Sequence, residues 1–382
     1  MRLTVCLLTR NEEQNVPRAI GSVRGIADQV VVADTGSTDR TAAVAAELGA
    51  EVYQMPWQDD FGAGCNFAIE QARGEWVLWL NPDEEVLPVS PFEMEASLGR
   101  RDVLAYTVPV RELPRADRPQ EYGETRPQRL FRRLPQIRFV GRANPQFWPP
   151  LEELARQAGL LIEPAPLMIQ RPAYLSRLSP DKLRWVARMQ ELELRDRPGR
   201  LGQLIDYGHT LLLLNDPRGH EVLAGAVERI LPQREAPRPP SPDVQRLLDY
   251  LMTVTPEQSR SRLSAEEARQ LAFRWFPTSP PLLWRSAEHY FQISEFRAAA
   301  LLLDRLTEMA RTGNYDRTQA FDPAILGPAA RMNLGICQLR LGQLDQAEQA
   351  FRALAEQPAF REQAAQNLEL VRQLREQGQK PS

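Results

Sequence analysis

At 382 residues the chain is too long for one ordinary domain and predicts two or three. Apolar residues make up 43%, enough for sizeable cores. Lys+Arg 47 against Asp+Glu 50 gives a formal net charge of -3, which excludes a generally basic nucleic-acid binder. Cys6, Cys65 and Cys337 are unclustered and odd in number, so neither a disulfide framework nor a zinc knuckle is indicated.

The opening MRLTVCLLTRNEE has an apolar run too short for a signal-peptide core or a membrane span. No other segment offers about 18 uninterrupted apolar residues. The expectation is a soluble, cytoplasmic protein. RLTVCLL then reads as a buried strand, and QNVPRAIGSVRGI as a short helix with Pro17 in its first turn. DQVVVAD is a second strand. TDRTAAVAAELG is an alanine-rich helix with Gly49 as its C′ residue. AEVYQM is a third strand, CNFAIEQAR a helix stopping at Gly74, and EWVLWL a fourth strand. This alternation predicts a mainly parallel α/β sheet, with ligands beyond the carboxyl ends of its strands. Three polar groups fall there: TRNEE, DTGSTD and NPDEE.

From 86 to about 175 the pattern is less regular. DVLAYTVPV and RPQRLFRR read as strands, separated by RELPRADRPQEYGE, expected to be a mobile loop. DKLRWVARMQELELR and LGQLIDYGHTLLLL are helical, and LPQREAPRPPSPD, 231–243, reads as a linker or extended connection. Beyond it, Leu334, Gly335, Gly342, Ala347, Phe351 and Pro358 stand at tetratricopeptide (TPR) spacings, with Ala287, Tyr290, Phe296, Ala299 and Leu303 matching them earlier. The alternative is a generic antiparallel helical bundle. The expected domains are 1–175, a helical extension over 176–235, and TPR-like repeats over 236–382.

Asp34 ends an apolar strand before Gly36 and STDR. A carboxylate there can accept from a base or ribose, and a helix N-terminus favours phosphate, but Asp34 and Ser37 can equally just cap the turn. No GxGxxG is present, so an ordinary dinucleotide fold is poorly supported. Adjacent Asp59 and Asp60 suit helix capping. Asp83, Glu84 and Glu85 offer the oxygen ligands that hard cations prefer, against the plainer reading of a solvated turn. Cys6 and Cys65 read as small buried apolar residues. His209, His220 and His289 lack ligand spacing.

Taken together, LLTRNEEQNVPRAIGSV, DQVVVADTGSTDRTAAVAAELGAEVY, WQDDFGAGCNFAIEQARGEWVLWLNPDEEV and RLFRR resemble the family 2 glycosyltransferases, in the branch that joins a GT-A domain to TPR repeats. VVADTGSTDRT is the most specific run. The resemblance implies sugar transfer, typically inverting, from a nucleotide donor that is usually UDP-linked, to a hydroxyl, amine or thiol. It places Thr9 and Glu12 in the nucleotide pocket, Asp34 at the base or ribose, and Asp60 near the donor as a catalytic acid group. Asp83 becomes the surviving metal ligand and acid of the Asp-x-Asp motif. The acceptor is a glycan, peptide or protein, and the repeats are expected to take a protein partner.

Four departures qualify this. Asp-x-Asp reads Asn81-Pro82-Asp83, so a divalent cation, Mn2+ or Mg2+, is expected to bind weakly or not at all. Ala-Arg-Asn reads Gly64-Cys65-Asn66. A His-Glu pair is replaced by Asn144-Pro145 in GRANPQ, and a metal-binding histidine by Arg171 in IQRPAY. Three readings stay open: Arg171 supplies the charge of the ion, Asn81 coordinates through its carbonyl, or the domain is an inactive glycosyltransferase serving as an interaction scaffold.

Overall fold

The computed structural model describes residues 1–113, 122–172, 180–316 and 321–378. They form two compact units, Met1–Asp216 and the described residues from Pro217 onward. In the first unit the chain runs β1 (Leu3–Thr9), α1 (Val16–Val23), β2 (Gln29–Asp34), α2 (Thr41–Glu47), β3 (Glu51–Gln54), α3 (Phe61–Glu70) and β4 (Trp76–Trp79). It continues through β5 (Glu85–Val86), α4 (Pro91–Leu98), β6 (Val103–Thr107), β7 (Val110–Glu112), β8 (Gly123–Thr125), β9 (Gln128–Arg132), β10 (Arg138–Val140) and β11 (Gln146–Trp148). Then come α5 (Leu151–Ala158), β12 (Leu161–Pro164), β13 (Ile169–Arg171), α6 (Pro180–Asp196) and α7 (Leu201–Leu213).

A seven-stranded sheet has the order β12-β6-β9-β4-β1-β2-β3. The pairs β1–β2, β1–β4, β2–β3 and β6–β12 are parallel, and β9 alone runs against its neighbours. The central strands are apolar on both faces because both faces are covered. Leu3, Val5 and Leu7 of β1 and Trp76 and Leu78 of β4 enter one core, while Cys6, Val77 and Trp79 enter the other. Val16, Ala19, Ile20 and Val23 of α1 close the first, and Cys65, Ala68 and Ile69 of α3 the second. Burying a valine or isoleucine fully is worth about 1.5–3 kcal/mol. That holds an eight-residue helix such as α1, which alone would be marginal.

Gly49 follows α2 at φ +89, as a C′ residue should. Helix α3 differs from its sequence reading by starting at Phe61 rather than Cys65, because Asp60 caps it and the small residues in its first turn do not break it. Of the expected loop 111–124, residues 114–121 lie outside the described residues. Its flanks form a ladder, β7 on β8, in a second sheet of order β5-β13-β7-β8.

The second unit is helical: α8 (Arg218–Ile230), α9 (Val244–Thr253), α10 (Pro256–Ser259), α11 (Ala265–Trp275) and α12 (Pro280–Gln292). These are followed by α13 (Phe296–Thr312), α14 (Pro328–Arg340), α15 (Leu344–Ala355) and α16 (Arg361–Gln377). Within the proline-rich 231–243 the regular structure is one 3-10 turn at Leu231–Gln233. The segment is tied to α11, since Trp275 Nε1 donates to the Ala236 carbonyl and Arg274 to that of Arg234. Helices α12–α13 and α14–α15 are the TPR-like pairs, with Ala287, Ala299 and Leu303 buried in one and Ala347 and Phe351 in the other.

Gly335 is the tightest point: a Cβ there would lie 2.7 Å from Phe351 Cε1. Phe351 is fully buried and has no room to yield. Gly335→Ala is therefore expected to lower the unfolding stability of this unit by about 1–3 kcal/mol despite its gain in helix propensity. A denaturation midpoint equal to or above that of the parent chain would contradict this packing. Among the described residues no helix is long and apolar enough to cross a membrane.

Candidate functional site

Strands β1, β2 and β4 are parallel and end at one edge of the main sheet, and antiparallel β9 begins there. A cavity of about 1180 Å³ opens at that edge. Thr9 and Glu12 reach it from the end of β1, Asn81 and Asp83 from the loop after β4, Gln128 and Arg129 from β9, and Arg171 from β13. Lys182 and Trp185 of α6 also line it.

Two of the carboxylates expected in the site stand behind its wall. Asp34 is 1% exposed. Its Oδ1 accepts from the amides of Gly36 and Ser37, and its Oδ2 from Ser37 Oγ and Thr9 Oγ1. It caps the turn and fixes the end of β1, and it does not line the cavity. Asp60 caps α3, accepting from the Ala63 amide at 2.9 Å, and also lies outside the lining. The N-terminus of α2 is filled by the protein itself, with Asp39 accepting from the Thr41 amide and Glu13 from that of Arg40. Burial works against charge on Asp39, but hydrogen bonds from Thr41 and Glu13 hold its carboxyl below the usual range.

The three acids after β4 turn in three directions, each toward an arginine. Asp83 Oδ2 accepts from Arg171 Nε at 2.8 Å. The ladder that pairs Gln170 with Glu85 brings them together, setting Arg171 level with the loop before β5. Burial alone would lower the Arg171 pKa, but Asp83, Glu112 and Glu84 around it outweigh that and raise it above the ordinary arginine value. Glu85 faces Arg18 at 4.0 Å and accepts from Gln170. Glu84, with a side chain 2% exposed, takes Arg129 at 3.1 Å.

Glu84 also clamps Asn81. The Asn81 backbone amide donates to Oε2 and its Nδ2 to Oε1, both at 2.8 Å, while Trp79 Nε1 donates to Asn81 Oδ1. Asparagine is what this geometry requires, because an aspartate would set oxygen against oxygen. Asn81→Asp, which would complete Asp-x-Asp, is expected to lose about 1–3 kcal/mol of stability at neutral pH. Its unfolding midpoint should stay low in Mn2+. A midpoint restored by the ion would reveal a latent metal site.

These contacts do not fit a divalent ion. Asp83, which the resemblance makes the metal ligand, is occupied by a guanidinium, and Asn81 has its amide and carbonyl engaged. Among the described residues no group of three or more His, Cys, Asp or Glu is disposed to hold a metal. Cys65 lines the cavity, but burial pushes its thiol up and leaves it unsuited to act as a nucleophile.

The structure thus brings Thr9, Glu12, Asn81, Asp83 and Arg171 to one cavity. Glu12 accepts from Asn15 and faces Lys182 at 3.6 Å. Asn144 also lines the cavity, its backbone at φ 52. Sequence reasoning missed the Glu84 clamp, Gln128, Lys182 and Glu152, and an aromatic wall in which Trp57, Phe61 and Trp185 meet at centroid distances of 5.1–5.5 Å. The run RLFRR was the one signal for Arg129. The others come from distant segments that no local pattern joins.

Residues 4–147 match the family model described as Glycosyl transferase family 2. A TPR repeat-containing protein of Synechococcus elongatus is 40% identical over 138 residues, 36% of this chain and 33% of its own length. An uncharacterized glycosyltransferase of Rickettsia bellii is 34% identical over 147 residues, 37% of this chain and 49% of its own. The matches thus span between a third and a half of these curated relatives. Among solved structures, mannosyl-3-phosphoglycerate synthase from Rubrobacter xylanophilus is 19% identical over 51% of this chain and 75% of its own, with a TM-score of 0.33. That likeness is too slight to bear on the site.

Proposed function

Taking residues 4–147 as a family 2 glycosyltransferase domain of GT-A type, in a chain that goes on to a TPR-like helical unit, we propose that it transfers sugar from a UDP-sugar without a metal ion. The observation that carries this is Arg171 held by Asp83 in the loop where Asp-x-Asp would stand. A leaving diphosphate develops negative charge, and a fixed cation in a partly dry cavity stabilises it. Arginine suits the task, being permanently charged and forked toward phosphate oxygens. Asp83 holds the Nε edge and Glu112 stands 3.9 Å from Nη1, which leaves Nη2 to the donor, and Arg129, steadied by Glu84, adds a second cation. Thr9 and Glu12 line the nucleotide end. Asp34 and Asp60 shape the loops rather than touch the donor. Transfer inverts the anomeric centre, and the acceptor is a glycan, peptide or protein.

A second reading draws on the same contacts: with Asp34 and Asp60 spent on caps and Asp83 on an ion pair, the domain is an inactive scaffold and the helical pairs recruit a protein. UDP release from a panel of UDP-hexoses and UDP-N-acetylhexosamines separates the two. The transferase reading expects release that collapses in Asp83→Ala, because Arg171 loses its orientation, while some UDP binding survives. No release from any donor, with partner binding intact after Asp34 and Asp83 are both changed, would leave the scaffold.

A further inference from the structure

We infer that Glu152 is the general base that takes the proton of the acceptor, an assignment that rests on the sugar-transfer reading above. Among the described residues four carboxylates line the cavity: Glu12, Asp83, Glu152 and Asp181. A carboxylate paired with a cation is a weaker base, because the neighbouring positive charge favours its ionised form. Glu12 faces Lys182, Asp83 holds Arg171, and Asp181 holds Arg184. Among the described residues Glu152 is the cavity carboxylate whose partner is a neutral amide: Gln128 Nε2 donates to Glu152 Oε1 at 2.5 Å.

Its place in the sheet agrees. In the order β9-β4-β1-β2, the loops of β1 and β2 stand on one side of β4 and β9 on the other. Leu130 of β9 pairs with Leu78 of β4, so Gln128 lies level with Leu80, next to Asn81. Gln128 therefore anchors Glu152 across the Asn81–Asp83 loop from the nucleotide end. In-line displacement needs its base there, opposite the leaving diphosphate. Glu152 is the second residue of α5, whose packed Leu151 and Ala155 give it a rigid base.

The step balances. A lone pair of the acceptor oxygen forms the new bond to the anomeric carbon. The bond from that carbon to the phosphate oxygen breaks, its electrons leave with UDP, and the acceptor proton passes to a Glu152 oxygen.

The test uses the full chain and the same UDP-sugar panel, with water as acceptor, and reads UDP release beside UDP affinity. Glu152→Gln should lower the rate by roughly 10²- to 10⁴-fold with UDP affinity within about twofold. In Glu152→Ala, sodium azide should raise UDP release at least about tenfold and yield a glycosyl azide, since the azide anion has no proton to lose. A rate within about threefold of the parent in Glu152→Gln would overturn the assignment. So would UDP affinity that falls in step with the rate, or an Ala variant indifferent to azide, either of which marks a positioning or structural role. A parent chain that releases no UDP from any donor overturns the sugar-transfer reading itself, and the base with it.

Discussion

Arg171→Ala is expected to weaken UDP binding by roughly 30- to 1000-fold, about 2–4 kcal/mol. Two effects add. The diphosphate loses a charge-assisted, forked donor, and Asp83, 14% exposed at its side chain, is left as an unpaired anion facing it. The second effect is separable. Removing Asp83 as well should recover part of the affinity, so the double variant binds UDP more tightly than Arg171→Ala alone. Calorimetric titration of the three proteins measures this directly. A double variant weaker than either single change would mean that Asp83 contacts the donor itself rather than the arginine.

Glu84→Ala is expected to be the most damaging single change to the fold of the first unit, at about 3–5 kcal/mol. Glu84 takes the backbone amide and the side-chain Nδ2 of Asn81 and balances Arg129, all at one buried point. Its loss strands a guanidinium and two donors with little water to take them. For a unit of this size the melting temperature should fall by roughly 6–20 °C. Glu84→Gln, which keeps an acceptor but not the charge, should lose less. A melting temperature within about 2 °C of the parent in Glu84→Ala would show that the clamp is not structural.

Much of the scaffold was legible because it is written in local periodicity. The runs around Leu3, Val31 and Trp76 alternate between two cores as two-sided strands must, and Gly49 and Pro17 mark helix ends through their backbone preferences. Gly335 and Phe351 were readable as a small residue meeting a large one within a single repeat. The site was less legible. Asp34 and Asp60 carry the same sequence cues whether they bind a ligand or cap a turn, and the hydrogen bonds of both are capping bonds. The contact of Asp83 with Arg171 spans 88 residues and depends on β13 pairing with β5, a short ladder with no periodic signature. Glu152 carries no sequence signal of its own, and its place in the cavity depends on β9 running beside β4 and bringing Gln128 to it.

In the proposed mechanism a guanidinium does at this site what a metal ion does where Asp-x-Asp is intact. Titrating UDP into the full chain in EDTA, and again with Mn2+, tests it most directly. Equal affinity is expected in both, falling steeply with Arg171→Ala. Affinity that appears with Mn2+ alone and survives the loss of Arg171 would contradict it.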